Sequence, residues 1–320
     1  MMKKYISLLL LVISVARPVC ADVAQITKVQ EISDKQYYCT AANAGFFLFL
    51  CHLIGSIHKS NFDKTEEIAV FDLGLTTEQR DLLNTIEKVN VYDVEMVNPD
   101  LLTRFETSDQ GKSAPGWYAW KPVVIKQALD MFDYVLYLDA GAVVLKPLDD
   151  VFRYIQEQGY FLLADQEWWI GDRNILFTIR AHCTKHVMDL FNLEDPTREY
   201  IAADSNLYAA VQGISKVSKA YNEYLLPIYE LAKDIKNFED DGSGPLGFGW
   251  ARHDQTLFSI KARELGLTLV PVQQDVLLPV GNRAVLFKAC DYPPENPHIV
   301  YACKGQAEFL DSIRFKQTTA

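Results

Sequence analysis

Apolar runs recur along this chain between polar breaks marked by Gly, Thr, Asn and Pro, and their lengths predict alternating strands and helices. Tyr37 to Ala42 reads as a strand and Phe46 to His58 as an apolar helix. Glu67 to Asp72 predicts a second strand, followed by Gly74 and a helix opened by Thr76-Thr77-Glu78. Val89 to Val97 alternates as a third strand, and the polar stretch from Asn98 to Gly116 predicts a mobile loop. Trp117-Tyr118-Ala119-Trp120-Lys121-Pro122 then leads into a helix through about Phe132, with Pro122 in its first turn.

Tyr134 to Leu138 is an unbroken uncharged run, the pattern of a strand buried on both faces in the middle of a parallel sheet. It runs directly into Asp139, with Gly141 two positions on and a second apolar run up to Leu148. Ligands of such sheets bind in the crevice beyond the carboxyl ends of the strands. A carboxylate delivered there needs a partner, because an unpaired buried charge costs several kcal/mol or takes up a proton. The alternative is that Asp139 only caps the turn after the strand.

Beyond Leu148 a helix starts at Pro147-Leu148-Asp149-Asp150, and Phe161 to Ala164 is a short strand. An aromatic loop follows around Trp168 and Trp169. A helix is predicted near Ser215 to Lys233, then an acidic, Gly-rich loop from Glu239 to Pro245. Asp254 to Leu265 reads as a helix and Leu267 to Val272 as a strand. The strand–helix alternation predicts an α/β fold with a Rossmann-like, mixed but mainly parallel sheet flanked by helices. No repeat or linker divides it, so residues 22–320 are expected to form one domain.

Residues 1–21 stand outside that pattern. Lys3 and Lys4 precede an apolar stretch from Tyr5 to Ala16, and Val19-Cys20-Ala21 fits a small-x-small cleavage site, so a signal peptide is expected. The stretch is short for a stable membrane span, and a retained anchor is the lesser alternative. The expected compartment is secretory or exported: Golgi lumen, periplasm or extracellular space. Removal of Lys3, Lys4 and Arg17 would take the formal charge from −11 to −14. That acidity argues against nucleic acid or anionic membrane as the main partner. Five cysteines would remain, neither a disulfide framework nor a zinc signature; a Cys290–Cys303 bridge is the pairing that proximity permits.

Five marks fall in a telling order: Thr40-Ala-Ala-Asn43 after the first strand, Val70-Phe-Asp72-Leu-Gly74, Trp120-Lys121-Pro122, Tyr137-Leu-Asp139-Ala-Gly141, and Arg252-His253-Asp254-Gln255. Together they resemble the nucleotide-sugar-dependent glycosyltransferases of the GT-A fold over most of residues 35–310. The resemblance implies transfer of a hexose from a nucleoside diphosphate sugar to a glycan, protein or lipid acceptor. It implies a donor site at Thr40, Asp72, Asp139, Gly141, Lys121 and Lys304. Asp139 matches the first Asp of the family's Asp-x-Asp; Gly141 replaces the second. That leaves three options: Mn²⁺ or Mg²⁺ held by Asp139 with His298, a cationic side chain in place of the metal, or lost catalysis. The third option makes the chain a non-catalytic carbohydrate- or nucleotide-binding protein. A nucleotidyltransferase is the weaker third reading, since Thr40 to Gly45 offers neither enough glycine nor a cation for a phosphate loop.

Lys121 and Lys304 are expected to meet charge developing on the leaving diphosphate. Asp254, near a helix N-terminus, is expected to be catalytic, as general base of an inverting enzyme or as a group orienting the acceptor in a retaining one. Trp168, Trp169, Trp250, His253 and Gln255 are expected on the acceptor side, the indoles offering flat faces to sugar rings. Asp165, Asp204 and Asn206 fall where such folds line the sugar pocket.

Overall fold

The computed structural model describes residues 32–107, 111–164, 178–270 and 309–317 in full. Between 271 and 308 it describes only the backbone of strands and a short helical turn. Trp168, Trp169 and Asp165, His298 and Lys304, and Cys290 and Cys303 lie outside the described residues, as does the expected signal peptide.

Four strands run parallel: β1 (Gln36–Ala42), β2 (Thr65–Asp72), β3 (Val89–Asp93) and, crossing to the other side of β1, β6 (Tyr134–Leu138). β9 (Leu207–Ser215) runs the opposite way, pairing antiparallel with β6 on one side and with the edge strand β8 (Tyr160–Ala164) on the other, so that β8 runs in the same direction as β6 and the order is β3-β2-β1-β6-β9-β8. The result is the mixed, mainly parallel α/β sheet expected from the pattern. Its two-residue alternation sorts side chains onto two faces. Cys39, Ala41, Phe71, Val135 and Tyr137 pack against α3 (Trp120–Met131), α7 (Leu226–Leu231) and α8 (His253–Glu264). Tyr38, Ala42, Val70, Leu136 and Leu138 face α1 (Phe47–Asn61) and α4 (Asp149–Gln158). Burial on both faces is why β6 has no charged residue.

Local chemistry sets several of the boundaries. Thr76 caps α2 (Thr77–Asn84), and its exchange of bonds with Gln79 forms a capping box. Gly159 ends α4 with φ 84°, a left-handed position that glycine takes without strain. A second, antiparallel sheet joins β10 (Val272–Gln273), β12 (Asn282–Phe287), β13 (Ile299–Tyr301) and β7 (Ala142–Val144), with β11 (Leu277–Leu278) on β12. It meets the main sheet through β7, which follows β6 after the Asp139–Gly141 turn, and Tyr301 pairs with Ala142.

Three expectations are corrected. The stretch from Asn98 to Gly116 is not wholly loop: β4 (Arg104–Glu106) and β5 (Ser113–Pro115) form a hairpin braced by the stacked rings of Phe105 and Trp117. The helix expected from Ser215 begins only at Ala220, as a π-turn running into α7, because Leu207 to Ser215 is the antiparallel strand between β6 and β8. The strand expected at Leu267 to Val272 shrinks to a bridge between Val270 and Leu163, with β10 starting at Val272. No helix among the described residues is long and apolar enough to cross a membrane.

The C-terminal turn at Ala307–Ser312 lies on α1 at Gly55, where an added Cβ would sit 1.9 Å from the Phe309 carbonyl oxygen. Gly55→Ala should therefore force the two apart and lower stability by about 1–3 kcal/mol, read by urea unfolding. An unchanged midpoint would mean that the turn does not pack there.

Candidate functional site

The site is assembled at the carboxyl end of β6. Asp139 is the first residue past the strand, its N–H donating to the Ala210 carbonyl (2.9 Å) and its own carbonyl accepting from Ala142 N–H (2.8 Å). Gly141 is not among the glycines with positive φ, so its backbone does not demand a glycine. The Tyr137 hydroxyl, two residues back on the same face of the strand, donates to Asp139 Oδ1 at 2.5 Å.

Lys121 enters from α3. The turn before that helix is unusual, with Gly116, Trp117 and Tyr118 all at positive φ (48°, 43° and 68°). Conformations of this kind cost on the order of 1–3 kcal/mol per non-glycine residue and persist where surrounding structure enforces them. The enforcing contacts are visible. A Cβ on Gly116 would come within 2.2 Å of the Leu101 carbonyl oxygen, so glycine is required there. Trp117 stacks on Phe105 (centroids 4.0 Å apart) and donates its indole N–H to the Glu106 carbonyl (3.1 Å).

Asp254 enters from α8, and a second strained residue precedes it: His253, at φ 42°. Its Nδ1 lies 2.7 Å from the Phe238 carbonyl. A carbonyl can only accept, so Nδ1 carries the proton. Burial lowers the His253 pKa to about 4, which keeps the ring neutral in that role. The glycine-rich approach to α8 is organised by Asp240, whose carboxylate accepts from the N–H groups of Gly242, Gly249 and Ala251.

These three elements bring Lys121, Asp139 and Asp254 to one point. Lys121 Nζ lies 3.2 Å from Asp139 Oδ1 and 2.9 Å from Asp254 Oδ2. Lys121 and Asp254 are buried, at 4% and 5% exposure, while the Asp139 side chain keeps 26%. The ammonium is further enclosed by the rings of Tyr118, Trp120 and Tyr137, with centroids 5.9, 5.9 and 5.5 Å away. It also points toward the Ala209 carbonyl (3.4 Å), which in turn accepts from Gln212, itself bonded to the Tyr224 hydroxyl. Burial alone would lower the lysine pKa; the two carboxylates outweigh it and raise it. Burial raises the Asp254 pKa, with Lys121 opposing that shift.

The other expected residues fall elsewhere. Thr40 is buried within β1 and, by strand alternation with Tyr38 and Ala42, faces α1, on the opposite side of the sheet from Lys121; its hydroxyl has no partner among the described residues. Asp72 stands at the end of β2, but Oδ1 accepts from the N–H groups of Gly74 and Leu75, and Oδ2 pairs with Arg80 at 3.0 Å. Gln255 donates to the Leu207 carbonyl (2.6 Å), and the Trp250 carbonyl holds the His182 ring (2.6 Å). Asn206 is fully buried with Oδ1 unpartnered among the described residues, and Asp204 pairs with Arg263 at 2.9 Å. Tyr137 and Tyr118 belong to the site although the sequence assigned neither a role; the signal for Tyr137 was its place two residues before Asp139 in a strand. Phe46 and Phe49, 5.8 Å apart at the start of α1, add an aromatic pair just past β1, with Phe46 48% exposed. A separate cleft of about 570 Å³ is lined by Arg180, Met188, Glu194, Pro196, Glu199 and Pro245, and shares no residue with the charged cluster.

A divalent metal, implied by the family resemblance, fits poorly among the described residues. Mg²⁺ and Mn²⁺ want several hard oxygen ligands. Asp139 Oδ1 already accepts from Tyr137 and contacts the Lys121 ammonium, Gly141 offers no side-chain ligand, and no three His, Cys, Asp or Glu residues among the described ones gather to hold an ion.

No protein-family profile matches this sequence, and no curated protein matches it. Solved structures do resemble it. A galactosyltransferase LgtC active-site mutant shares 13% identity and covers 84% of this chain and 88% of its own, with a TM-score of 0.44. Mouse xyloside xylosyltransferase 1 shares 13% identity at a TM-score of 0.41, covering 75% of this chain and 85% of its own. The glycosyltransferase GlyE of Streptococcus pneumoniae shares 14% at 0.39, covering 75% of this chain and only 45% of its own. These are likenesses of fold to GT-A glycosyltransferase structures.

The charged cluster makes a stability prediction. Lys121 and Asp254 both have pKa values above their unfolded ones. Each contribution is therefore complete below the unfolded value and lost as pH rises through the folded one: at alkaline pH for Lys121, in the carboxylate range and above for Asp254. Lys121→Met leaves two carboxylates facing each other and should cost about 3–5 kcal/mol at neutral pH. The deficit should shrink as pH falls and the carboxylates take up protons, measured by urea unfolding at neutral pH and at about pH 5. An equal deficit at both would contradict the charge account.

Proposed function

We propose that this chain is a glycosyltransferase that moves a hexose from a nucleoside diphosphate sugar to a glycan, protein or lipid acceptor. The observation that carries the reading is the convergence of Asp139 and Asp254 on Lys121. Residues more than a hundred positions apart in sequence, singled out by motif, meet at the carboxyl end of a central parallel strand, where sheets of this kind take their ligands.

Each carboxylate has a distinct place in the chemistry. Asp139, the more open of the two, is suited to accept hydrogen bonds from donor hydroxyls through the oxygen that Tyr137 and Lys121 leave free. Asp254 is held as an anion by Lys121 in a buried site, where a carboxylate either takes a proton from an attacking hydroxyl or fixes the sugar that reacts. The ring faces of Phe46 and Phe49 suit a nucleobase, and Trp250 an acceptor sugar. Lys121 is engaged between two carboxylates, so Lys304 remains the cation for the leaving diphosphate. An exported or secretory-pathway location belongs to the same proposal.

A second reading has its own support. Gly141 supplies no ligand and Lys121 is already paired, which suits a site that binds a carbohydrate or nucleotide without turning it over. The experiment that separates the readings is thermal unfolding of residues 22–320 against nucleoside diphosphates and their sugars, followed by assay of sugar release and transfer. A ligand at about a hundred times its Kd adds roughly 2.7 kcal/mol, a shift of a few degrees. Asp139→Asn should abolish the shift, whereas Asp254→Asn should retain it and lose transfer. Binding without turnover in the wild type would favour the second reading, and no binding of any nucleotide would sink the first.

A further inference from the structure

Two carboxylates that approach one point must share a proton, a metal ion or a cationic side chain. Here the shared group is an ammonium, and its surroundings are built to keep it there. Lys121 sits on the first turn of α3, aimed by a turn whose left-handed backbone is locked by Leu101 and Phe105. It contacts Asp139 at 3.2 Å and Asp254 at 2.9 Å, is walled by three aromatic rings, and has the Ala209 carbonyl behind it. Tyr224 and Gln212, both fully buried, orient that last contact. A side chain so enclosed has no room to swing away and admit another cation.

The charge count leads to the same place. One ammonium and two carboxylates leave a single negative charge, whereas a divalent ion between those carboxylates would stand against the ammonium. Gly141 then has a reason to lack a carboxylate: a third one would serve a metal, and the group present is a lysine.

We propose that Lys121 is the resident cation of this site, standing where a divalent metal would otherwise bridge Asp139 and Asp254, so that the site takes its nucleoside diphosphate ligand without a metal. The ligand rests on the transferase reading; the assignment of the cation does not.

Two measurements test it on the chain from residue 22. In the first, Mn²⁺ alone is titrated into the wild type and followed by the electron paramagnetic resonance of free Mn²⁺. No Mn²⁺ binding that depends on Asp139 is expected. Removing the ammonium should uncover the carboxylates, so Lys121→Ala and Lys121→Gln should bind Mn²⁺ at least about tenfold more tightly than wild type and gain thermal stability from it. Adding Asp139→Asn should cancel that gain. A tight Mn²⁺ site in the wild type that Asp139→Asn removes would overturn the proposal, and so would folded Lys121 variants that gain nothing. If neither variant folds, the wild-type titration decides alone.

The second measurement is nucleoside diphosphate binding in EDTA and in Mn²⁺. Equal binding in both is expected, and binding that requires Mn²⁺ would overturn the metal-free claim. Failure to bind in either medium would overturn the transferase reading and the ligand named here, while the Mn²⁺ titration still judges Lys121.

Discussion

A buried lysine shared by two aspartates is the constraint on which the rest of this site depends. Removing either partner from such a pair leaves an uncompensated charge in a region with little water, a cost far larger than the net value of the pair itself. The surrounding architecture therefore has to hold three separate elements in register. β6 fixes Asp139, α3 carries Lys121, and α8 carries Asp254. The sheet and its flanking helices supply rigidity, and the strained turns at Trp117 and His253 supply the final aim.

That view explains otherwise unrelated features of the chain. The β4–β5 hairpin, which carries no motif residue itself, matters because Phe105 stacks on Trp117 and holds the turn before Lys121. Asp240 matters because it gathers the glycine-rich approach to Asp254, and the neutral His253 because it ties that approach to Phe238. The aromatic rings around Lys121 serve electrostatics as well as packing, since their negative faces meet the ammonium.

Much of this was legible in the sequence, for a physical reason. A strand buried on both faces rarely carries a charge, so the uncharged run Tyr134 to Leu138 announced itself, and a carboxylate at its end had to be partnered. The pairing of Lys121 with Asp139 and Asp254 was not legible, because no local pattern links positions brought together by three different elements. Lys121 was expected at a diphosphate, and its burial between two carboxylates was not foreseen. β9 escaped because Ala209, Ala210, Gln212 and Gly213 weaken its strand signature; its place between β6 and β8 comes from tertiary pairing. Thr40 was expected at the donor site from its motif, and strand alternation turns it to the face of the sheet away from Lys121, which no local pattern announces.

The central claim is that Lys121 and Asp254 act as one electrostatic unit beside Asp139. A double-mutant cycle on Lys121→Met and Asp254→Asn, measured by urea unfolding at neutral pH, tests it most directly. The account predicts that the two changes together cost less than their sum, with a coupling of about 2 kcal/mol. Additivity within roughly 0.5 kcal/mol would contradict it.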